Sequence, residues 1–225
     1  MRLNKFIASA TGKSRREADD LIASGHIKVD GKLAIIGSQV DDTYKVTLDG
    51  RQLALPTEHT LVILHKPIGY VSSRRAQAKD SETLYELLPP KLQKLKTVGR
   101  LDRDSSGLIL LTDDGDFAFS MTHPKFAKVK VYEVELDRPL EPLHQQMISD
   151  FGINLPDGKS RLTLERLESS TSSWRVTMSE GRNRQIRRTF AALGYTVTKL
   201  HRTNFGNYCL DNLPAGQWIV VKKHP

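Results

Sequence analysis

An α+β fold built on a mixed, largely antiparallel sheet is what the hydrophobic pattern of these 225 residues predicts. Beyond residue 60, strand-length apolar runs outnumber helical stripes and do not alternate with them as βαβ units would. Ahead of these runs stands a separate block, two short helical stripes followed by hairpin turns. At 38% hydrophobic residues, the chain can build a packed core, and its length suits one large domain or two small ones.

In the first block, Leu3, Phe6, Ile7 and Ala10 recur at i, i+3, i+4 and i+7, and Thr11-Gly12 stops that helix. Ser14 and Glu17 make a capping box for a second helix, with Ala18, Leu21 and Ile22 as its buried stripe and Gly25 beyond its end. Ile27 and Val29 alternate with Lys28 and Asp30 in a half-buried strand that turns at Asp30-Gly31. A second hairpin turns at Asp49-Gly50, between Lys45-Val46-Thr47-Leu48 and Arg51-Gln52-Leu53. Arg15-Arg16 directly follows the Ser14 cap, where cations are unfavourable by roughly a few tenths of a kcal/mol. Placed on a helix end already positive, they make an anion site suited to phosphate; the alternative is a solvated pair offset by Asp19 and Asp20.

These elements place a first domain at residues 1–54, a proline-containing linker at 55–60 and a second domain at 61–225. In the second domain, strands are expected at 61–66, 107–112, 129–136, 162–167, 174–178, 196–200 and 218–221. Helices are expected at 81–88, 140–151 and 183–193.

Composition narrows the function classes. Lys and Arg number 34 against 26 Asp and Glu, a net charge of +8 that points toward a polyanionic partner. The apolar runs at 61–64 and 108–111 are far below the roughly 20 residues of a membrane span. No apolar segment follows Met-Arg-Leu-Asn-Lys, so a cytoplasmic protein without membrane association is expected. The single cysteine, Cys209, makes neither an internal disulfide nor a thiolate metal site, and the seven histidines lack ligand spacing. Walker, dinucleotide, zincin and nucleophile-elbow motifs are all missing. The expectation is chemistry without cofactor or metal.

Candidate reactive residues lie in three places. The run Gly99-Arg100-Leu101-Asp102-Arg103-Asp104-Ser105-Ser106-Gly107-Leu108 is a loop between strands, where catalytic side chains are commonly displayed. A carboxylate beside Arg100 or Arg103 stays ionised, as a nucleophile requires. The other acidic run, Asp113-Asp114-Gly115-Asp116, reads as a strand-ending turn. Glu180-Gly181-Arg182-Asn183-Arg184-Gln185-Ile186-Arg187-Arg188 holds four arginines in seven positions. On a helix from Asn183, the stripe is Ile186, Phe190 and Leu193; Arg184 and Arg188 project opposite it, toward phosphates or solvent. Arg187 borders the stripe, so it is half-buried and wants a carboxylate. Tyr132, on an alternating strand, either packs on the sheet or stacks on an extracted base.

Lys66-Pro67-Ile68-Gly69, the 99–108 loop, Lys130-x-Tyr132, the 180–188 run and Leu200-x-Arg202 with Gly206 resemble, in order, motifs of the RsuA/RluB family of ribosomal RNA pseudouridine synthases. The first 50 or so residues resemble the small S-four (αL-type) RNA-binding domain that precedes the catalytic domain there. Ser105 departs from the family's usual Thr but keeps the hydroxyl. The resemblance implies a small αL-type RNA-binding domain followed by a pseudouridine synthase domain. It makes Asp102 the essential carboxylate and Arg187, rather than Arg182 or Arg184, its ion-pair partner. Tyr132 becomes the base-contacting aromatic, and Arg100 fills the gap left by a flipped nucleotide. Arg182 and Arg184 support the substrate, while Arg15, Arg16 and Arg188 meet the RNA backbone.

The implied reaction breaks the N-glycosidic bond of a uridine in RNA, rotates the uracil and rejoins it through C5. The implied partner is ribosomal RNA or a pre-ribosomal particle, acted on by a monomer. The run Gly-Arg-Asn-Arg-Gln-Ile-Arg-Arg slightly favours the large subunit over the small. Two other readings compete: a non-catalytic RNA-binding or ribosome-assembly protein, and a metal-dependent nuclease using Asp102, Asp104 and an acid of the 113–116 run. The second predicts inhibition by EDTA and cut RNA.

Overall fold

The computed structural model describes residues 1–74, 82–167 and 170–223. They form two compact units, Met1–Thr60 with Asp113–Gly115, and Leu61–Thr112 with Asp116–Pro225.

In the first unit, α1 (Leu3–Thr11) ends where Gly12 turns left-handed, at φ 74°, and its N–H closes on Ala8 O. The second helix, α2 (Arg15–Ala23), opens on the full Ser14–Glu17 capping box. Strands β1 (Ile27–Val29), β2 (Lys32–Leu33), β3 (Val46–Leu48) and β4 (Arg51–Gln52) form an antiparallel sheet in the order β2-β1-β3-β4. Its two hairpins turn through Asp30-Gly31 and Asp49-Gly50, all four at positive φ, as a type I′ turn requires. Leu3, Phe6, Ile7, Ala18, Ile22, Ile27 and Val46 form the core, while Leu21 of the expected stripe packs at its border.

The second unit contains β5 (Leu61–Lys66), β6 (Lys96–Val98), β7 (Ser106–Thr112), α3 (Gly115–Thr122), β8 (Lys130–Leu136), α4 (Pro142–Gln146), β9 (Ile153–Leu155), β10 (Gly158–Ser160) and β11 (Thr163–Arg166). It continues with β12 (Ser173–Met178), α5 (Gln185–Ala191), β13 (Val197–Phe205), β14 (Tyr208–Cys209) and β15 (Trp218–Val221). The large sheet runs β11-β12-β8-β13-β7-β5-β15, with β14 on β13 and β6 on β7. Only the β13–β7 pairing is parallel, so the sheet is mixed and largely antiparallel. The continuous apolar runs of β5 and β7 are buried on both faces. Alternate residues serve different cores: Val62, Leu64, Ile109 and Leu111 on one side, Leu61, Ile63, Leu108 and Leu110 on the other.

Several elements differ from the sequence expectation. Of the 81–88 helix, Ser81 lies outside the described residues; the rest holds one 3-10 turn, Leu84–Leu87, cut short before Pro89-Pro90. The 140–151 helix divides into α4 and a π-turn, Met147–Phe151, ended by Gly152 at φ 76°. The strand expected at 196–200 runs on to Phe205 because β8 pairs with it along its length and β7 joins at His201 and Arg202. The acidic 113–116 run is a turn only at Asp113 and Asp114; Gly115 and Asp116 open α3, whose apolar residues lack a clear helical stripe. The helix expected from Asn183 starts at Gln185, because Arg184 adopts a left-handed conformation at φ 46°.

Candidate active site

One edge of β7 is covered by β5 along its length, whereas its other edge is shared. There β13 pairs with Ser106 and Gly107, and β6 with Leu110 to Thr112. The loop carrying Asp102 joins β6 to β7 at this division. Gly107 makes the close pairing feasible: it sits at φ 109°, and a Cβ there would lie 2.2 Å from Arg202 O. Only glycine lets β13 bring Arg202 against the foot of the loop.

The backbone on both sides of Asp102 is held. Ser72 Oγ donates to Leu101 O at 2.8 Å and accepts from the Leu101 N–H at 3.1 Å. Gly69 N–H donates to Arg103 O at 2.8 Å, and Arg103 Nε returns a bond to Gly69 O at 3.2 Å. Fully buried Lys66 donates from Nζ to Ser105 O at 2.6 Å and Pro67 O at 2.9 Å. Arg187 Nη2 donates to Asp104 O at 2.8 Å. With residues 101, 103, 104 and 105 anchored, little conformational freedom is left for Asp102 to lose when a substrate arrives.

The carboxylates are paired with arginines from the start of α5. Arg184 Nη1 lies 3.5 Å from Asp102 Oδ2, and the same guanidinium grips Asp104 at 3.2 and 2.9 Å. The family resemblance implies Arg187 as the partner of Asp102, but its carboxylate partner is Asp104, with Nε 3.3 Å from Oδ2. Its other nitrogens are occupied by Val197 O at 2.7 Å and by Asp104 O, which fixes the side chain beside Asp104. Arg184, left-handed ahead of the helix, is the one turned to Asp102. Burial raises the Asp104 carboxyl pKa, yet the hydrogen bonds from Arg184 and the charge of Arg187 outweigh it and hold the group below its ordinary value.

Asp102 opens on a cavity of about 520 Å³, whose walls include Arg100, Lys130, Tyr132, Arg184 and Arg202. That size falls in the range of small-molecule sites. Tyr132 is buried on β8, and exposed Arg100 stands on the loop itself. Arg202, 2% exposed, donates from Nε to Leu108 O at 2.7 Å, and its guanidinium lies 4.9 Å from the Phe205 ring centre and 6.0 Å from that of Tyr132. Its Nη2 is buried without a hydrogen-bond partner among the described residues. Burial and the Arg202 charge pull the Lys130 pKa down to about 8, against the pull of Glu180. Burial likewise brings Lys66 down to about 8, although Asp102 and Asp104 favour its charged form.

Arg182 and Arg188 are engaged elsewhere. Arg188, expected at the RNA backbone, grips Asp157 bidentately at 3.0 and 2.8 Å. Arg182 lines the cavity, but its guanidinium bonds Asp157, Gly158 O and Lys159 O at 2.8–3.0 Å. Together they tie the β9–β10 turn to α5 and the segment before it. Arg15 and Arg16, in the first unit, are exposed on the opening turn of α2. The sequence assigns no role to Lys66, Lys130 or Arg202; only Lys130 carries a local signal, a cation two residues before Tyr132 on the inward face of an alternating strand. No three acidic, histidine or cysteine side chains converge on a metal-sized site among the described residues.

Residues 60–192 match the RNA pseudouridylate synthase family, and residues 1–41 match the S4 domain. The chain is 38% identical to the ribosomal small subunit pseudouridine synthase A of Pasteurella multocida over 224 residues, 97% of this chain and 94% of that protein. It is 35% identical to the ribosomal large subunit pseudouridine synthase B of Bacillus subtilis over 229 residues, covering 99% and 93%. A crystal structure of a pseudouridylate synthase, 34% identical, superposes with a TM-score of 0.70 over 99% of this chain and 96% of its own. A held carboxylate loop at the division of a mixed sheet, joined to these likenesses along both regions, places the chain in the RNA pseudouridylate synthase family, as a pseudouridine synthase with an S4 domain at its N-terminus.

Proposed function

We propose that this enzyme isomerises a specific uridine of ribosomal RNA to pseudouridine, with Asp102 as the essential carboxylate. The observation that carries the reading is the Asp102 side chain opening on the cavity from an anchored loop, with Arg184 at 3.5 Å. The relatives' names, covering small- and large-subunit ribosomal RNA, support the substrate class.

The target uridine leaves the RNA stack, at a cost of roughly a few kcal/mol, and enters the cavity. Arg100 fills the space it vacates, and Tyr132 offers its ring to the uracil. Asp102 acts at the sugar as the N1–C1′ bond breaks. The uracil turns within the pocket, C5 bonds to C1′, the C5 proton is lost and N1 gains one, so that the product is an isomer of the substrate. Arg184 and Arg187 support the acidic loop, Arg182 supports the wall, and Arg15 and Arg16 contact phosphates. We read the enzyme as a monomer acting on ribosomal RNA or a pre-ribosomal particle.

The test compares wild-type protein with Asp102→Asn on ribosomal RNA from cells lacking the gene, mapping pseudouridine at nucleotide resolution in both subunits. Wild type should convert a defined uridine. The variant should bind with unchanged affinity and lose turnover by at least about a hundredfold. Retained turnover removes Asp102 from its role, and no conversion by wild type removes the substrate assignment.

A further inference from the structure

Beside the cavity, the last turn of α3 and the 3-10 turn after it, Pro124–Phe126, present an exposed aromatic cluster. Phe119 and Phe126 are 46% and 41% exposed, their ring centres 5.9 Å apart at 89°. His123 lies 4.6 Å from the Phe119 ring and 6.4 Å from that of Phe126. Lys125 Nζ stands over both phenylalanines, at 5.3 and 4.6 Å. Among the described residues, no carboxylate lies within ion-pair distance of Lys125.

Two features separate this patch from the other exposed apolar side chains, such as Ile35 and Ile36 in the first unit. First, it adjoins the cavity: Thr122 and Pro124, inside the same segment, line the wall, and Thr122 Cγ2 lies 3.6 Å from where a Gly99 Cβ would stand, at the base of the Asp102 loop. Second, its rings carry an ammonium group with no carboxylate to pair it. An apolar protein surface docking here would desolvate that charge without a partner, whereas a nucleotide supplies a π-face for the rings and a phosphate for the lysine.

We propose that Phe119 and Phe126 form a stacking platform for an unpaired base adjoining the target uridine, with Lys125 taking the phosphate between the two nucleotides. The inference rests on the RNA substrate proposed above and deepens it. A uridine flipped into the cavity leaves its neighbours locally unstacked at the entrance, and an aromatic face there returns part of the stacking energy they lose. Because every base has a π-face, the platform sets the shape of the target, an unpaired or weakly paired stretch, rather than its sequence.

The test measures binding by fluorescence anisotropy, with a fluorescein-labelled single-stranded RNA 12-mer carrying one central uridine. A second 12-mer has abasic sites on both sides of that uridine. Wild type should bind the intact probe about tenfold more tightly than the abasic one. Phe119→Ala/Phe126→Ala should bind both probes equally, at the abasic level, and Phe119→Tyr/Phe126→Tyr should stay within about twofold of wild type. Lys125→Gln should weaken both probes alike and lower the slope of log K on log salt by about 0.7. Should the alanine pair misfold, the Lys125→Gln and tyrosine variants still report on the two halves of the platform. Wild type that ignores the abasic flanks, or an alanine pair that still discriminates them, overturns the proposal. Binding is read without turnover, so failure here is distinct from failure to convert uridine.

Discussion

Arg184, and not Arg187, is the arginine of the α5 region that reaches Asp102: its Nη1 lies 3.5 Å from Asp102 Oδ2, while Arg187 Nε meets Asp104 Oδ2 at 3.3 Å. The two guanidinium groups therefore divide the work. Arg184 is half in solvent and bridges both carboxylates; Arg187 is nearly covered and joins main-chain oxygens of β13 and the acidic loop.

That division predicts opposite phenotypes. Arg187→Ala leaves the carbonyl of buried Val197 without its side-chain donor and frees the Asp104 backbone of the acidic loop, and should cost about 2 kcal/mol, seen as a Tm lower by roughly 4–8 °C. Arg184→Ala should leave Tm nearly unchanged and lower kcat at least about tenfold. Thermal scans and initial rates check both; a fall in kcat at constant Tm for Arg187→Ala alone would exchange the roles.

Phosphate contact should follow which arginines are already occupied. Arg15 and Arg16 stand exposed on a helix N-terminus, whereas Arg188 is held by Asp157. In filter binding to ribosomal RNA, Arg15→Gln/Arg16→Gln should lower the slope of log K on log salt by about 1.4, if each meets one phosphate of a single-stranded region. Arg188→Gln should leave the slope in place. Equal effects would mean that the Asp157 pair opens on binding.

Lys66 makes stability depend on pH. Its pKa is about 8 in the folded protein against an ordinary 10.5, because burial disfavours the charged form. Between those values the unfolded chain binds more protons, so this group's contribution to stability rises with pH across that window and is flat outside it. Urea unfolding of wild type and Lys66→Met at pH 7.5 and 10 isolates the effect, since Lys130 is common to both. The difference should move in favour of wild type by about 2–3 kcal/mol at the higher pH. An unchanged difference would show that the Lys66 proton is held alike in both states.

Gly107 should tolerate no side chain. Gly107→Ala places a Cβ 2.2 Å from Arg202 O and 2.5 Å from Arg202 N, both main-chain atoms of the paired strand. The cost should be at least about 3 kcal/mol, or outright failure to fold. Gly12→Ala, at φ 74° with nothing within 4 Å, should lose only about 1–2 kcal/mol. Calorimetry of the two variants separates backbone crowding from the left-handed penalty.

The sequence by itself determined the small N-terminal block, the sheet-dominated second unit and the loop that bears Asp102. Capping at Ser14 and Glu17, the Asp-Gly turns and the apolar runs of β5 and β7 are written by neighbours a few residues apart, so they could be read locally. It also marked the basic segment before and within α5. Tertiary structure alone decided which arginine meets which carboxylate, because Arg184 and Asp104 are 80 residues apart and meet only after Arg184 turns left-handed ahead of the helix. It alone committed Arg182 and Arg188 to Asp157, and turned Lys66 and Arg202 from isolated cations into buried supports. The reason is common to all of these: a charged side chain can satisfy itself with any oxygen it reaches, and only packing determines which oxygen that is.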